Sequence, residues 1–494
     1  MNTLYYGDNL KVLREHIADD SIDLIYLDPP FNSKADYNIL YKEPNGSQSQ
    51  AQITAFEDTW HWTDESEITF QEIVEIAPTE VVEMMRAFRA FIGNNDIMAY
   101  LTMMCIRLIQ LKRVLKKNGL IYLHCDPTAS HYLKVVMDTI FEKRNFRNEI
   151  IWGYSGGGIP KNDFPRKHYV IFRYSKTDQY FYKAARRPFT QGTIERGRTK
   201  VKGDTKLHPE GTPISDWWFS NLECDHCGAK LTSNLKRIAS PTDPENLGYP
   251  TQKPESLLER IIETSSKEGD IVLDPFCGCG TALSAAQKLK RQWMGIDITH
   301  LAINVMKLRM KHEYRLEAGK DYKVIGEPED LEGAKQLARE NRYQFQWWAS
   351  SLIDARPYGD KKKGADSGID GYIYFNEEKN NIKRAIVQVK SGGVGVKDIR
   401  DLSGVIDREK AEIGIFITLE EPTKPMEKEA VTKGFYQSPI SHRKFRKIEI
   451  ITIEKLLAGK KPEINSLTIA PYKAAEKNME TQEMNFYRDQ NNES

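Results

Sequence analysis

The chain has 494 residues, 40% of them hydrophobic and 29% charged, with a formal net charge of +1. That length supports two or three domains with separate cores, and the near-neutral balance excludes a uniformly basic or acidic protein, so any nucleic-acid surface has to be local. No apolar run approaches a membrane span, and Met1-Asn2-Thr3-Leu4 has neither the basic nor the apolar region of a signal peptide. Six cysteines do not make a disulfide scaffold at this length, so a cytoplasmic protein with reduced thiols is expected.

In chain order, Thr3 to Tyr6 reads as a strand, Asn9 to His16 as a helix and the apolar run Ile22 to Leu27 as a buried strand. A long aromatic stretch without clear period follows, through Trp62. Asp96 to Lys117 is predicted as an amphipathic helix closed by Asn118-Gly119, which has C-cap chemistry. Gly119 to His124 reads as a strand, Thr128 to Phe141 as a helix, and Asn148 to Trp152 and Tyr169 to Tyr174 as strands. Pro254 to Lys267 is predicted as a helix with proline in its first turn, then Ile271 to Leu273 as a strand, Thr281 to Leu289 as a helix, Gln292 to Ile296 as a strand and His300 to Arg315 as a helix. This alternation predicts an α/β doubly wound unit. Residues 319–331, acidic with Gly and Pro, read as a linker. A second α/β unit over 332–460 has strands at Tyr372–Phe375, Ala385–Val389 and Ile413–Ile417, and the tail 461–494 is polar.

Two places carry chemistry in the first unit. Asp28-Pro29-Pro30-Phe31 ends the second strand, at the edge where ligands gather in open α/β sheets. A carboxylate, prolines that offer carbonyls without N–H groups, and an aromatic face suit an exocyclic amine on a flat ring. The second is Asp274-Pro275-Phe276-Cys277-Gly278-Cys279-Gly280-Thr281, a strand end, a glycine turn and a helix start. It is neither G-x-G-x-x-G, because Leu283 holds the third glycine's place, nor a P-loop. Asp297 ends the next strand, where an acid can hold a ribose diol. Asp8, Asp28, Asp274 and Asp297 are all predicted on one sheet edge. Four carboxylates there repel phosphates and suit a cationic, adenosine-bearing cofactor such as S-adenosylmethionine.

These residues resemble the permuted class of DNA amino-methyltransferases, N6-adenine and N4-cytosine, in which the catalytic motif precedes the cofactor motif. The D-P-P-F/Y motif matches Asp28, Pro29, Pro30 and Phe31, and F-x-G-x-G matches Phe276, Gly278 and Gly280. Tyr249-Pro250-Thr251-Gln252-Lys253-Pro254, Tyr6-Gly7-Asp8, His124-Cys125-Asp126-Pro127 and Asn148-Glu149-Ile150-Ile151-Trp152 are also similar to family segments, over roughly Met1 to Leu316. The resemblance implies a Rossmann-like methyltransferase domain over 1–318 with a target-recognition region at about 153–247. It also implies S-adenosylmethionine as cofactor, held by Asp8, Thr251, Lys253, Asp274, Pro275, Phe276, Gly278, Gly280, Thr281 and Asp297. Asp at the first motif position implies adenine N6, with cytosine N4 as the alternative, and Phe31 stacking on a base flipped out of the duplex.

A basic stretch, including Arg186, Arg187, Arg196, Arg198 and Lys200, falls inside the inserted region, where the family contacts double-stranded DNA. The bland reading of such a run is a solvated face. Cys224-Asp225-His226-Cys227 is one C-x-x-C without a second pair, and a surface loop is the better reading than zinc. In the second unit, Gln388 and Lys390 share a strand face, and with Asp370 they resemble the Mrr-like branch of the PD-(D/E)xK nucleases, with Glu340 as an additional carboxylate. That resemblance implies a smaller restriction-endonuclease-like α/β domain in which Asp370 and Gln388 hold Mg²⁺ and Lys390 faces the attacked phosphate. The expected protein is thus a restriction–modification methyltransferase with a fused nuclease-type domain, a homodimer being one arrangement. The alternatives are a non-cleaving DNA-binding C-terminal module, or an RNA or protein methyltransferase.

Overall fold

A computed structural model describes residues 1–30, 35–42, 48–58, 61–154, 161–189, 194, 208–219, 222–223, 230–231, 235, 245–247, 249, 251–357, 368–378, 381–439 and 441–464. The first unit is built on a nine-stranded sheet. Its strands are β1 (Thr3–Tyr6), β2 (Ile22–Leu27), β3 (Leu115–Cys125), β4 (Phe146–Gly153), β5 (His168–Ser175), β6 (Trp217–Phe219), β7 (Ile271–Asp274), β8 (Gln292–Asp297) and β9 (Lys323–Ile325). Their spatial order is β6-β4-β5-β3-β2-β7-β8-β1-β9, and β5 runs against its two neighbours while the other pairs are parallel.

Helices cover both faces, which is why the central strands read as unbroken apolar runs. On one face lie α1 (Asn9–His16), α2 (Asp64–Ile76), α3 (Thr79–Ile92), α4 (Asp96–Val114) and α5 (Ser130–Phe141). On the other lie α6 (Glu255–Ser265), α7 (Thr281–Lys288) and α8 (His300–Tyr314). Local chemistry starts several of them. Asp8 accepts from the amides of Leu10 and Lys11 to cap α1, Asn95 accepts from Met98 to cap α4, and Thr299 accepts from Ala302 to cap α8.

Three expectations change. Asn118-Gly119 is not a C-cap: α4 ends at Val114, and Leu115 already pairs with Ile22 at the start of β3. Gly119 lies inside that strand, where a Cβ would come within 2.5 Å of Leu115 Cδ1. Residues 64–92, where the sequence pattern predicts no element, form α2 and α3, with acidic Asp64, Glu65 and Glu67 in the first turn behind the Thr63 cap. The segment read as a linker contributes β9, which pairs with β1, and Tyr322 just before it is fully buried.

The second unit has helices α9 (Leu331–Glu340), α10 (Arg342–Ser351), α11 (Val396–Glu409), α12 (Lys424–Thr432) and α13 (Ile453–Leu457) around a five-stranded sheet. Its strands, in spatial order, are β10 (Arg356–Pro357), β11 (Gly371–Glu378), β12 (Asn381–Lys390), β13 (Ile413–Thr418) and β14 (Ile448–Thr452). The first three pair antiparallel and the last three parallel. Helix α10 joins the units: Gln344 Oε1 accepts from the His300 amide at 3.0 Å, and Trp347 packs on the cluster that includes Tyr249, Cys279 and Leu301. No helix among the described residues is long and apolar enough to cross a membrane.

Candidate active site

Strands β2 and β7 are parallel neighbours, Leu273 standing opposite Ile25, so Asp274 and, two residues past its level, Asp28 both emerge at the carboxyl edge. β8 and β1 continue that edge, with Tyr6 opposite Asp297. The four predicted carboxylates therefore do share one edge, and Asp8, Asp28, Asp274 and Asp297 line one cavity of about 270 Å³. Pro29, Pro30, Thr251, Lys253, Pro275, Phe276, Gly278 and Thr281 line it as well. Phe31 lies outside the described residues.

The carboxylates are not equivalent. Asp8 is spoken for on both oxygens, one capping α1 and the other 2.6 Å from Arg107 Nη2. Asp28 Oδ2 accepts from the Lys253 ammonium, whereas Asp28 Oδ1 is buried with no hydrogen-bond partner among the described residues. Asp297 is tied into the loop, Oδ2 accepting from the Gly278 amide at 3.0 Å and Oδ1 from the Thr299 amide and hydroxyl. Asp274 Oδ1 accepts from the Phe276 amide. Two of the four acids thus face a cation, and Asp274 and Asp297 make no ion pair among the described residues. Burial pushes Asp274 well up, more than the Phe276 amide pulls it back, with the Asp28 and Asp297 charges adding to the rise. Burial likewise raises Asp28 and Asp297.

Glycine is required twice in the loop between β7 and α7. Gly278 has φ +48° and faces the Tyr249 ring, 3.2 Å from where a Cβ would stand. Gly280, at φ +75°, opens α7, and a Cβ there would fall 1.8 Å from Met306 Sδ. Leu283, in place of a third glycine, is fully buried against Gly295, where a Cβ would come within 2.4 Å of Leu283 Cδ2. The close helix–strand approach is kept by moving the glycine from the helix to the strand. These features fit a cationic cofactor such as S-adenosylmethionine: a glycine turn that lets backbone approach a ligand, and the carboxyl groups of Asp274 and Asp297 without a cation among the described residues.

Arg107 and Asn9 carried no sequence signal. Arg107, in the middle of α4, holds Asp8 and also donates from Nε to Asn9 Oδ1. Asn9 Nδ2 in turn donates to the Pro275 carbonyl at 2.8 Å, joining the first strand–helix turn to the loop after β7. Beyond Thr251 and Lys253 lies a second cavity of about 160 Å³, walled by Trp152, Tyr154 and Tyr169. His124 is buried beside it, its Nδ1 2.9 Å from the Tyr26 hydroxyl and its ring edge-on to Trp152 and Tyr169. Burial and the Lys253 charge push His124 well down, so it is neutral.

Of the basic residues, Arg186 and Arg187 form a short ribbon with Thr212–Pro213, where Arg186 donates to the Gly211 carbonyl and lies 3.9 Å from Glu210. Arg196, Arg198, Lys200, Cys224 and Cys227 lie outside the described residues. In the second unit Asp370 precedes β11, and Gln388 and Lys390 lie on β12. Asp370 Oδ2 accepts from the Val389 amide at 2.7 Å, and Gln388 Oε1 is buried without a hydrogen-bond partner among the described residues. Glu340 is exposed at the end of α9, bonded to Gln336, and its charge bears on Tyr6 of the first unit. No group of three or more His, Cys, Asp or Glu among the described residues is placed to hold a metal ion.

Residues 349–458 match a family model described as NACHT-associated inactive Restriction Endonuclease 1. That description carries no support for Mg²⁺ or cleavage. The chain is 30% identical over 246 residues to the type II methyltransferase M.EcaI of Enterobacter cloacae, covering 40% of this chain and 54% of that protein. It is 26% identical over 401 residues to the type II methyltransferase M.BglII of Bacillus subtilis, covering 78% of this chain and 86% of that protein. A solved structure titled PvuII DNA methyltransferase (cytosine-N4-specific) is 14% identical with a TM-score of 0.37, over 62% of this chain and 85% of that one. Residues 22–308, more than half of the chain, match the model of N6_N4_Mtase, described as DNA methylase, and the chain belongs to that family.

Proposed function

We propose that this protein transfers a methyl group from S-adenosylmethionine to the exocyclic amine of a base flipped out of double-stranded DNA, within a restriction–modification system. The observation that supports this reading is one cavity lined both by Asp28, Pro29 and Pro30 and by Gly278, Thr281 and Asp297, as an amine acceptor beside a cofactor cradle would require. When bound, S-adenosylmethionine supplies an electrophilic methyl on a sulfonium.

The chain's own residues do the rest. An amine conjugated into a ring is a poor nucleophile, and Asp28 accepts its N–H, which localises the lone pair and offsets the charge that develops on nitrogen. The adjoining aromatic cavity of Trp152, Tyr154 and Tyr169 receives the flipped ring and compensates the few kcal/mol lost on unstacking. Asp rather than Ser at the first motif position favours adenine N6 over cytosine N4. Arg186 and Arg187 belong to the phosphate-gripping region in this reading, and the location is cytoplasmic.

For the C-terminal unit we favour a non-cleaving DNA-contact module. The inactive description of its family and the engagement of Asp370 with the Val389 amide support that choice. The test is incubation of the full chain with unmethylated plasmid, Mg²⁺ and methyl-labelled S-adenosylmethionine, followed by mapping of modified bases. Label is expected on adenine, lost with Asp28→Ala, with the plasmid uncut. Undiminished transfer by Asp28→Ala would sink the reading, label on cytosine would move it to N4, and nicks lost with Lys390→Ala would restore a nuclease.

A further inference from the structure

The two oxygens of Asp28 have different fates. Oδ2 lies 2.5 Å from Lys253 Nζ, and the same ammonium donates to the Thr251 carbonyl at 3.2 Å. Both side chains are sequestered, Lys253 at 7% exposure and Asp28 at 15%. Asp28 lines the cavity, and its Oδ1 is buried with no hydrogen-bond partner among the described residues. A buried acceptor left bare costs about 1–3 kcal/mol, so an arrangement of this kind persists where a ligand supplies the missing donor.

The charges around Asp28 show why a cation is needed. Tyr26 lies below it on β2, its hydroxyl pushed well up by burial and by the Asp28 and Asp274 charges. Asp274 faces it from β7 and Cys125 from β3, the thiol held neutral by burial. His124, also on β3, is neutral. None of these stabilises a carboxylate, and Asp274 opposes one. Among the described residues, Lys253 is the cation within ion-pair distance of Asp28.

We infer that Lys253 is a positioning residue for methyl transfer: it grips Asp28 by Oδ2 and leaves Oδ1 as the acceptor for the substrate amine. This rests on the function proposed above and departs from the cofactor contact implied by the position of Lys253 in its motif. In the step, the amine nitrogen's pair forms the N–C bond as the C–S bond breaks and its pair returns to sulfur. Oδ1 holds the N–H throughout, and the proton that nitrogen sheds passes to solvent.

The experiment uses the full chain with Lys253→Met, Lys253→Gln and Lys253→Arg, and Asp28→Ala as reference. Cofactor affinity is read by calorimetry, and single-turnover transfer at saturating S-adenosylmethionine is followed across pH. Lys253→Met is expected to slow transfer on the order of 100-fold at neutral pH. Its acid limb should move upward by about one pH unit or more, because burial of Asp28 is no longer opposed by a charge. Cofactor affinity should stay within about threefold, a change of under 1 kcal/mol. Lys253→Arg should bring the limb back toward the native position. Lys253→Gln keeps a donor without the charge and must show the same upward limb, which preserves the test if the methionine variant does not fold. An unmoved acid limb in the variants that fold overturns the inference, as does a large loss of cofactor affinity with the saturated rate unchanged. Full transfer by Asp28→Ala instead overturns the proposed function.

Discussion

Gly280→Ala tests whether the loop after β7 is built as the geometry requires. Gly280 sits in the left-handed region at φ +75°, and placing an L side chain there costs roughly 1–2 kcal/mol. The new Cβ would stand 1.8 Å from Met306 Sδ and 3.1 Å from both Met306 Cγ and Cε. Met306 is itself fully buried in the core between the sheet and α6 to α8, so it has little room to retreat. Overpacking of a closed core adds about 1–3 kcal/mol. The sum, about 2–5 kcal/mol, is a large share of the 5–15 kcal/mol that typically holds a domain together.

Urea unfolding of the full chain, with and without S-adenosylmethionine, measures that loss, and calorimetry reads the accompanying drop in cofactor affinity. The steric part can be separated from the backbone part. Met306→Ala alone leaves a cavity and should cost about 2–5 kcal/mol. Combined with Gly280→Ala it should cost less than the sum, with a favourable coupling of about 1–3 kcal/mol, because the new methyl fills space that sulfur vacated. A Gly280→Ala variant within about 0.5 kcal/mol of the native chain, or losses that simply add, would refute the reasoning.

Two further outcomes follow from the packing around α8. Glu327 lies 2.7 Å from Lys307 and 3.5 Å from His300; burial pushes its carboxyl up, but Lys307 and His300 pull it further down, to about 2 from 4.5. Its stabilisation is therefore complete above pH 4.5 and lost as pH falls toward 2, about 3 kcal/mol at roughly 1.4 kcal/mol per pH unit. Glu327→Gln should flatten the acid limb of the stability curve in that window, and an unchanged limb counts against the pairing. Trp347→Ala removes the second unit's ring from the cluster containing Tyr249 and Cys279, behind the cofactor loop. Loss of a half-buried ring of this size should cost about 2 kcal/mol and weaken S-adenosylmethionine binding several-fold, whereas native affinity would show that the two units act independently.

What the sequence disclosed and what it hid divide along the range of the interactions. Asp28-Pro29-Pro30, the Gly278 and Gly280 turn and Asp297 were legible because each is a strand end or turn whose conformation is set within a few residues. Arg107 was not, because its partners Asp8 and Asn9 lie about a hundred positions away and its helix bears no motif. A still longer separation hid the ion pair between Asp28 and Lys253, 225 residues apart. Asn118-Gly119 misled because the local C-cap preference lost to the pairing of Leu115 with Ile22.

The expectation of four like charges at one edge was sound for backbone placement and incomplete for electrostatics, since two of the four carboxylates turn out to hold cations. That difference bears on the chemistry. An edge of four unpaired acids would favour any cation. With Arg107 on Asp8 and Lys253 on Asp28, the two carboxyl groups of this edge without a cation among the described residues are Asp274 and Asp297, beside the glycine loop. Asp28 is left as a directed hydrogen-bond acceptor rather than a bare charge, which is the property that recognition of a neutral amine requires.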